Sequence, residues 1–336
     1  MSSGRAANPT LVSLARELGV SRQTVSNALN APELVKPETR ERVLAAIRES
    51  GYRPSALGRA LRTRRSMNLA FRMYPAVDGI NGAVLDRFLH NLVVAAQRHD
   101  YRVTLFDTDS FEAEIGALGE QHRAGLIDAC VLINTHAGDP RPRRLMAAGI
   151  PTVAFGRPWS DPDSPHAWLD IDGGVGCESA VRHLRAAGHT RIGFLGWPEG
   201  SGVGDDRHAG WLRGMSGLAV DDLRAAAPDG VHEGAQAAER LLAAGATAIV
   251  CTSDSLAMGA ASRLRAGGGD PAAVVGFDDT PVAAALGMSS ISQPVEQAAG
   301  TLVDLALGEL HGPPAAERRV LLPSTLVLRT RMPFPA

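Results

Sequence analysis

The stretch that most constrains this 336-residue chain is TLVSLARELGVSRQTVSNALN, from Thr10 to Asn30. Leu11, Leu14, Ala15 and Leu18 recur at helical spacing, so its first half predicts a short helix with one apolar stripe and Thr10 as N-cap. Gly19 permits a sharp turn, Val20 fills the angle, and Ser21 caps a second helix whose Val25, Ala28 and Leu29 face inward. The outward face carries Arg22, Gln23, Ser26 and Asn27, side chains suited to paired hydrogen bonds with base edges in a major groove. Taken alone, the same pattern also fits an ordinary helical hairpin with a polar solvent face.

The next residues narrow the choice. Pro37 suits the first turn of a third helix reaching Ser50, with Val43, Leu44 and Ile47 on its buried side and Gly51 as its stop. The motif AxxxGVSxxTVSxxLN, then VxPxTRxRV and GYxPxxxxRxL, resembles the lactose-repressor (LacI/GalR) family of bacterial transcription factors. The signature fixes many positions over about fifty residues, so a chance match is improbable.

Charge agrees with such a head. The chain holds 34 Lys and Arg against 36 Asp and Glu. Residues 1–65 take 12 of the former and 5 of the latter, which leaves 22 against 31 for the remainder. A basic head on an acidic body marks a protein that meets a polyanion at one end. Charge does not separate DNA from RNA or a membrane surface; the helix-turn-helix spacing selects double-stranded DNA. Lys36, the sole lysine, is expected to touch phosphate.

Other classes are disfavoured. No run of about 20 apolar residues would span a membrane. The start, MSSGRAANPT, lacks an apolar signal core, so the expected location is the cytoplasm. Cys130, Cys177 and Cys251 are far apart and read as reduced core thiols. There is no GxSxG elbow, Walker loop or HExxH, and His136, His166 and His208 have no metal spacing, so no catalysis, cofactor or metal is expected.

Residues 1–9 are expected to form a flexible arm, 10–54 the head, 55–65 a hinge and 66–336 a core. In the core, strand-like runs (Leu69–Met73, Val103–Phe106, Ala129–Ile133, Thr152–Phe155, Ile192–Leu195, Ala248–Cys251, Val274–Phe277) alternate with helical segments such as Val84–Arg98 and Leu256–Ala266. That alternation predicts parallel, doubly wound sheets. The predicted fold is therefore an all-α helix-turn-helix head followed by an α/β core of two doubly wound parallel-sheet lobes.

Ligands of such sheets bind beyond the carboxyl ends of the strands. The polar residues there include Asp172, Arg207, Ser253, Asp278 and Gln293. Any one could cap a helix, and Asp254 or Ser255 is a natural cap. Together, an arginine fork and several carboxylates suit a neutral polyol such as a sugar ring. Trp159, Trp168 and Trp197 are either stacking platforms or packing residues.

The family resemblance implies more. It implies a periplasmic-binding-protein type I core crossed by the chain near Ser164, Ser292 and Pro323. The first lobe would then hold residues 66–164 and 293–322, and the second 165–292 and 323–336. It implies a homodimer on a pseudo-palindromic operator, with Leu61 of the hinge wedged into the minor groove. It makes Asp172, Arg207 (in R-x-x-G-W), Ser253, Asp278 and Gln293 the effector contacts, although Ser253 stands where the family has a longer Asn. The implied function is an effector-responsive repressor of carbohydrate-utilisation genes. Sensing of a purine or a partner protein as corepressor is one alternative, and a solute-binding protein is another.

Overall fold

The computed structural model describes residues 9–52, 65–74, 80, 82–218, 220, 222–312 and 317–329. Residues 1–8 of the expected arm and most of the expected hinge, including Leu61, lie outside the described residues. The chain forms two units, Met1–Arg65 and Ser66–Ala336.

In the first unit, helix α1 (Leu11–Leu18) opens on a capping box, in which Thr10 Oγ1 accepts from Ser13 N and Ser13 Oγ accepts from Thr10 N. Gly19 turns the chain at φ 65° and Ser21 caps α2 (Arg22–Asn30). Helix α3 (Pro37–Ser50) starts on its proline and ends at Gly51, φ 67°. Leu14, Ala15, Val25, Ala28, Val43 and Ala46 form the small core. Ala46 takes the place expected of Leu44, because the buried stripe of α3 runs Val43, Ala46, Ile47 at helical spacing. Leu29 and Leu44 are half-buried.

The second unit begins with β1 (Asn68–Arg72), α4 (Gly82–Arg98), β2 (Arg102–Phe106), α5 (Phe111–Arg123), β3 (Ala129–Leu132), α6 (Arg141–Ala147), β4 (Thr152–Phe155) and β5 (Ala167–Asp172). There follow α7 (Gly173–Ala186), β6 (Ile192–Gly196), α8 (Gly202–Gly214), β7 (Arg224–Ala226), α9 (Val231–Ala243), β8 (Ala248–Cys251), α10 (Asp254–Ala266) and β9 (Val274–Phe277). The chain closes with α11 (Pro281–Ala285), β10 (Ser290–Ser292), α12 (Val295–His311), β11 (Arg319–Pro323) and β12 (Thr325–Val327). One sheet has the order β11-β5-β4-β3-β1-β2, the other β12-β10-β9-β8-β6-β7. The same winding is thus used twice, parallel throughout except where β12 meets β10.

The pleat sends alternate residues of the first sheet to opposite faces. Leu69 and Val131 meet Phe88 and Leu92 of α4 and Leu302 of α12. Ala70 and Cys130 meet Leu118 of α5 and Leu145 of α6. All three cysteines are buried free thiols. Among the described residues no helix is long and apolar enough to cross a membrane.

The lobe boundary differs from expectation. The first crossing follows Asp172 rather than Ser164, because Ala167–Asp172 is a strand of the first sheet, paired with both β4 and β11. Its two aspartates hide it as an apolar run, and Asp170 is tolerated inside because Arg157 donates to it at 2.6 Å. The last crossing falls at Ser324, whose Oγ donates to the Asp172 carbonyl at 2.6 Å, tying two crossings together.

Helix pairs in the second lobe meet backbone to backbone through glycine. A Cβ on Gly259 of α10 would lie 2.0 Å from the Val231 carbonyl oxygen of α9. Gly259→Ala must push these helices apart and is expected to cost roughly 1–3 kcal/mol, read as a lower melting temperature by calorimetry.

Candidate functional site

In each sheet the strand order reverses beside the first strand of the lobe, between β1 and β3 and between β6 and β8. Loops diverge beyond the carboxyl ends at such points and leave a crevice. The two lobes share a cleft of about 620 Å³ there. Val84, Leu85, Phe88 and Phe155 give the first lobe an apolar wall, with Asn134, Thr135 and Asp170 as its polar points. The second lobe contributes Trp197, Arg207, Asp229 and Asp278, and Gln293 stands at the crossing.

Arg207 projects from α8 with only 5% of its surface exposed. Its guanidinium carbon lies 3.5 Å from the centre of the Phe277 ring and 5.2 Å from that of Trp197. Nη1 donates to the Thr252 carbonyl, and Nη2 is 4.0 Å from Asp278 Oδ1. Its buried Nε has no hydrogen-bond partner among the described residues. Asp206 next to it pairs instead with Arg157 and with the Gly174 amide.

Asp278 sits at φ 105°, a strained conformation for a residue with a Cβ. Gln293 Nε2 donates to its carboxylate at 2.6 Å. Burial pushes the Asp278 carboxyl above its ordinary range, while Arg207 and Gln293 pull it down. The turn is braced from behind by fully buried Asp254, which accepts from Thr280 N (2.7 Å), Thr280 Oγ1 (2.8 Å) and Ser290 Oγ (2.6 Å). Burial pushes the Asp254 carboxyl up to about 7.

Arg207, Asp278 and Gln293 are therefore brought together as the sequence implied. Two others are not. Asp172 spends Oδ1 on the Val175 amide at 2.9 Å as N-cap of α7 and does not line the cleft. Ser253 caps α10 through the Leu256 amide and donates to Asp229, so it stands behind the wall. Sequence reading missed Asp170 and Asp229, which do line the cleft. Asp170 was hidden in the unexpected strand β5, and Asp229 follows β7, only three residues long. Of the tryptophans, Trp197 lines the cleft and Trp168 packs against the first-lobe core. Trp159 lies under Arg157, with its ring where a Cβ on Gly202 would fall. Among the described residues, no group of three or more His, Cys, Asp or Glu is placed to hold a metal ion.

On the head, Arg22 and Gln23 are exposed and Ser26 and Asn27 half-buried on α2. Gln23 Nε2 donates to Asn27 Oδ1 at 2.8 Å, so these two amides form one preset hydrogen-bonding unit. Lys36 is exposed at the N-cap of α3.

Residues 10–55 match the family of bacterial regulatory proteins of the lacI type, and 181–330 the periplasmic binding protein-like domain. The HTH-type transcriptional regulator CelR of Thermobifida fusca is 32% identical over 97% of this chain and 98% of its own. The chain belongs to the LacI family of bacterial transcriptional regulators. A LacI-family regulatory protein of Chloroflexus aggregans superposes with TM-score 0.74 at 31% identity, over 79% of this chain and 98% of its own. A CelR–cellobiose complex superposes with TM-score 0.70 at 29% identity, over 96% and 99%.

For this LacI-family head, Arg22→Ala is expected to relax preference at one base pair and cost about 1–3 kcal/mol. Lys36→Ala should instead weaken all duplexes alike and reduce the salt slope by about 1. Titrating a duplex selected from a random pool, and scrambled versions of it, at several salt concentrations distinguishes the two roles.

Asp254 makes a separate expectation. Its folded pKa of about 7 exceeds the unfolded value of about 3.9. Between these values the folded state holds a proton that the unfolded state has lost, so this group's stabilisation falls as pH rises from about 4 to 7. Asp254→Asn removes the dependence. Relative to wild type, the variant's melting temperature should rise over that window and level off above it.

Proposed function

We propose that this regulator is a sugar-released repressor of carbohydrate-utilisation genes, acting in the cytoplasm as a homodimer on a pseudo-palindromic operator, and that it performs no catalysis. One observation carries the effector reading. The Arg207 fork is buried over an aromatic ring beside Asp278 and Gln293, opposite an apolar wall. A sugar ring has hydroxyls that both donate and accept around its rim and C–H groups on its faces, so it meets both walls. The CelR–cellobiose complex supports the same ligand class. Three carboxylates in the lining, Asp170, Asp229 and Asp278, favour a hydroxyl-rich ligand over a purine.

The mechanism is linkage. A sugar that contacts both lobes prefers one inter-lobe angle, and operator affinity shifts by its differential affinity for the two states. Arg22, Gln23, Ser26 and Asn27 read bases in this proposal, Lys36 holds phosphate, and Leu61 wedges the minor groove.

The test is a thermal-shift screen with glucose, galactose, cellobiose, maltose and melibiose, since bound ligand raises stability by mass action. Arg207→Ala should bind the selected operator as wild type does and lose the sugar response. Removing a buried charged donor costs roughly 3 kcal/mol, about two decades in Kd, and Lys has no fork to restore it. Normal release from the operator in Arg207→Ala would overturn the sugar cleft.

A further inference from the structure

The residue at 253 raises a chemical question, because the family resemblance puts a longer amide there. Ser253 has no exposed surface. Its hydroxyl accepts from the Leu256 amide at 3.2 Å and gives its one proton to Asp229 Oδ1 at 2.5 Å. That proton is committed, so Ser253 offers nothing to a cleft occupant directly. Asp229 stands in the lining with Arg207 and Asp278. It is close enough to Asp278 for its charge to raise that carboxyl's proton affinity. The two carboxylates and the arginine fork thus surround one corner of the cleft.

We propose that Asp229 is a direct effector contact and that Ser253 is its positioning residue. Together they read at this corner a hydroxyl that an amide at 253 would otherwise read. The proposal rests on the sugar reading given above. Its chemical content is narrower: a carboxylate has no N–H to donate, so Asp229 favours a hydroxyl that gives its proton to this corner. An amide can both donate and accept, and it would tolerate a methyl ether or a ring oxygen as well.

The experiment is calorimetric titration of the full-length chain with the same five sugars and with the deoxy and O-methyl analogues of the one that binds. The chains compared are wild type, Asp229→Asn, Ser253→Gly and the double variant. Glycine is a serviceable N-cap, so Ser253→Gly removes the hydroxyl and keeps α10 started. Asp229→Asn should bind the sugar at least tenfold more weakly, with operator affinity and melting temperature unchanged. Ser253→Gly should weaken binding less, and the double variant no more than Asp229→Asn alone, because serine acts through the carboxylate. One deoxy or O-methyl analogue should bind wild type poorly and Asp229→Asn as well as the parent sugar does. A general loss of folding would not produce that analogue-specific pattern. Equal binding by wild type and Asp229→Asn overturns the contact, and independent losses that multiply in the double variant overturn the positioning role. Wild type unresponsive to all five sugars overturns the sugar reading, and this assignment with it.

Discussion

The first turn of α7 is where the core's parts meet, and they meet through the absence of side chains. A Cβ on Gly173 would lie 2.9 Å from the Arg207 side chain. The Gly174 carbonyl would be 2.0 Å from a Cβ on Gly210, so α7 and α8 touch backbone to backbone. A Cβ on Gly176 would be 2.4 Å from Ser324 Oγ and 2.5 Å from Ile291, which belong to the other two crossings. One glycine-floored turn therefore sets where the arginine fork stands, how closely α8 approaches and how tightly the crossings bundle. With the crossings bundled, rotation of the lobes about them is the soft coordinate left to the core.

Two buried arginines show how the same chemistry serves different ends. Arg141 has no exposed surface and every reason to stay put. It donates to Glu114 and Asp139 and to the carbonyls of Ile133 and Asn134, with the Phe111 ring 4.2 Å from its carbon. Arg72 joins Glu114 from the other side at 3.1 Å. A network in which Arg141 makes this many bonds holds the first lobe together beneath its cleft wall. Arg207 is nearly as buried, yet it has one carbonyl as acceptor and its nearest carboxylate 4.0 Å away. A buried guanidinium so lightly paired is costly in a resting protein. Arg207 therefore keeps donor capacity facing the cleft, whereas Arg141 has spent its own on the protein.

The architecture was legible in the sequence wherever local chemistry and tertiary packing agree. The caps at Thr10 and Ser21, the turn at Gly19 and the seven apolar strand runs all sit where propensity places them. Sequence reading failed where tertiary pairing overrides the local pattern. Strand β5 carries Asp170 in a buried position only because Arg157 reaches it from the end of β4, and no periodicity announces that partner. Strands β7, β10 and β12 are three residues each, too short for alternation to register. At the cleft, residue type picked out Arg207, Asp278 and Gln293, which the fold brings to one lining. It could not separate an aspartate that caps a helix, as Asp172 does, from one that lines the cleft, as Asp278 does, because both stand at strand ends. Nor could it show that Ser253 donates to Asp229, two residues joined only by the fold.

The cleft is also held before any ligand enters it. Arg157, at the end of β4, pairs with Asp170 of its own lobe at 2.6 Å and with Asp206 of the other at 3.4 Å, its guanidinium lying on Trp159. Asp206 in turn accepts from the Gly174 amide at 3.0 Å, which anchors the pair to the glycine-floored turn. The lobes thus have a contact that resists opening and owes nothing to the effector. A ligand acts only through the difference between its contacts in two states. Polar points on both walls, Asn134 and Asp170 on one and Arg207 and Asp278 on the other, give a bridging ligand such a difference. The Arg157 pair leaves that difference unchanged and acts on the balance between lobe arrangements before a ligand binds. Coupling of 1–3 kcal/mol is typical of such switches. In this core the Arg157–Asp206 contact, made without any ligand, biases the resting arrangement from which such a switch would start.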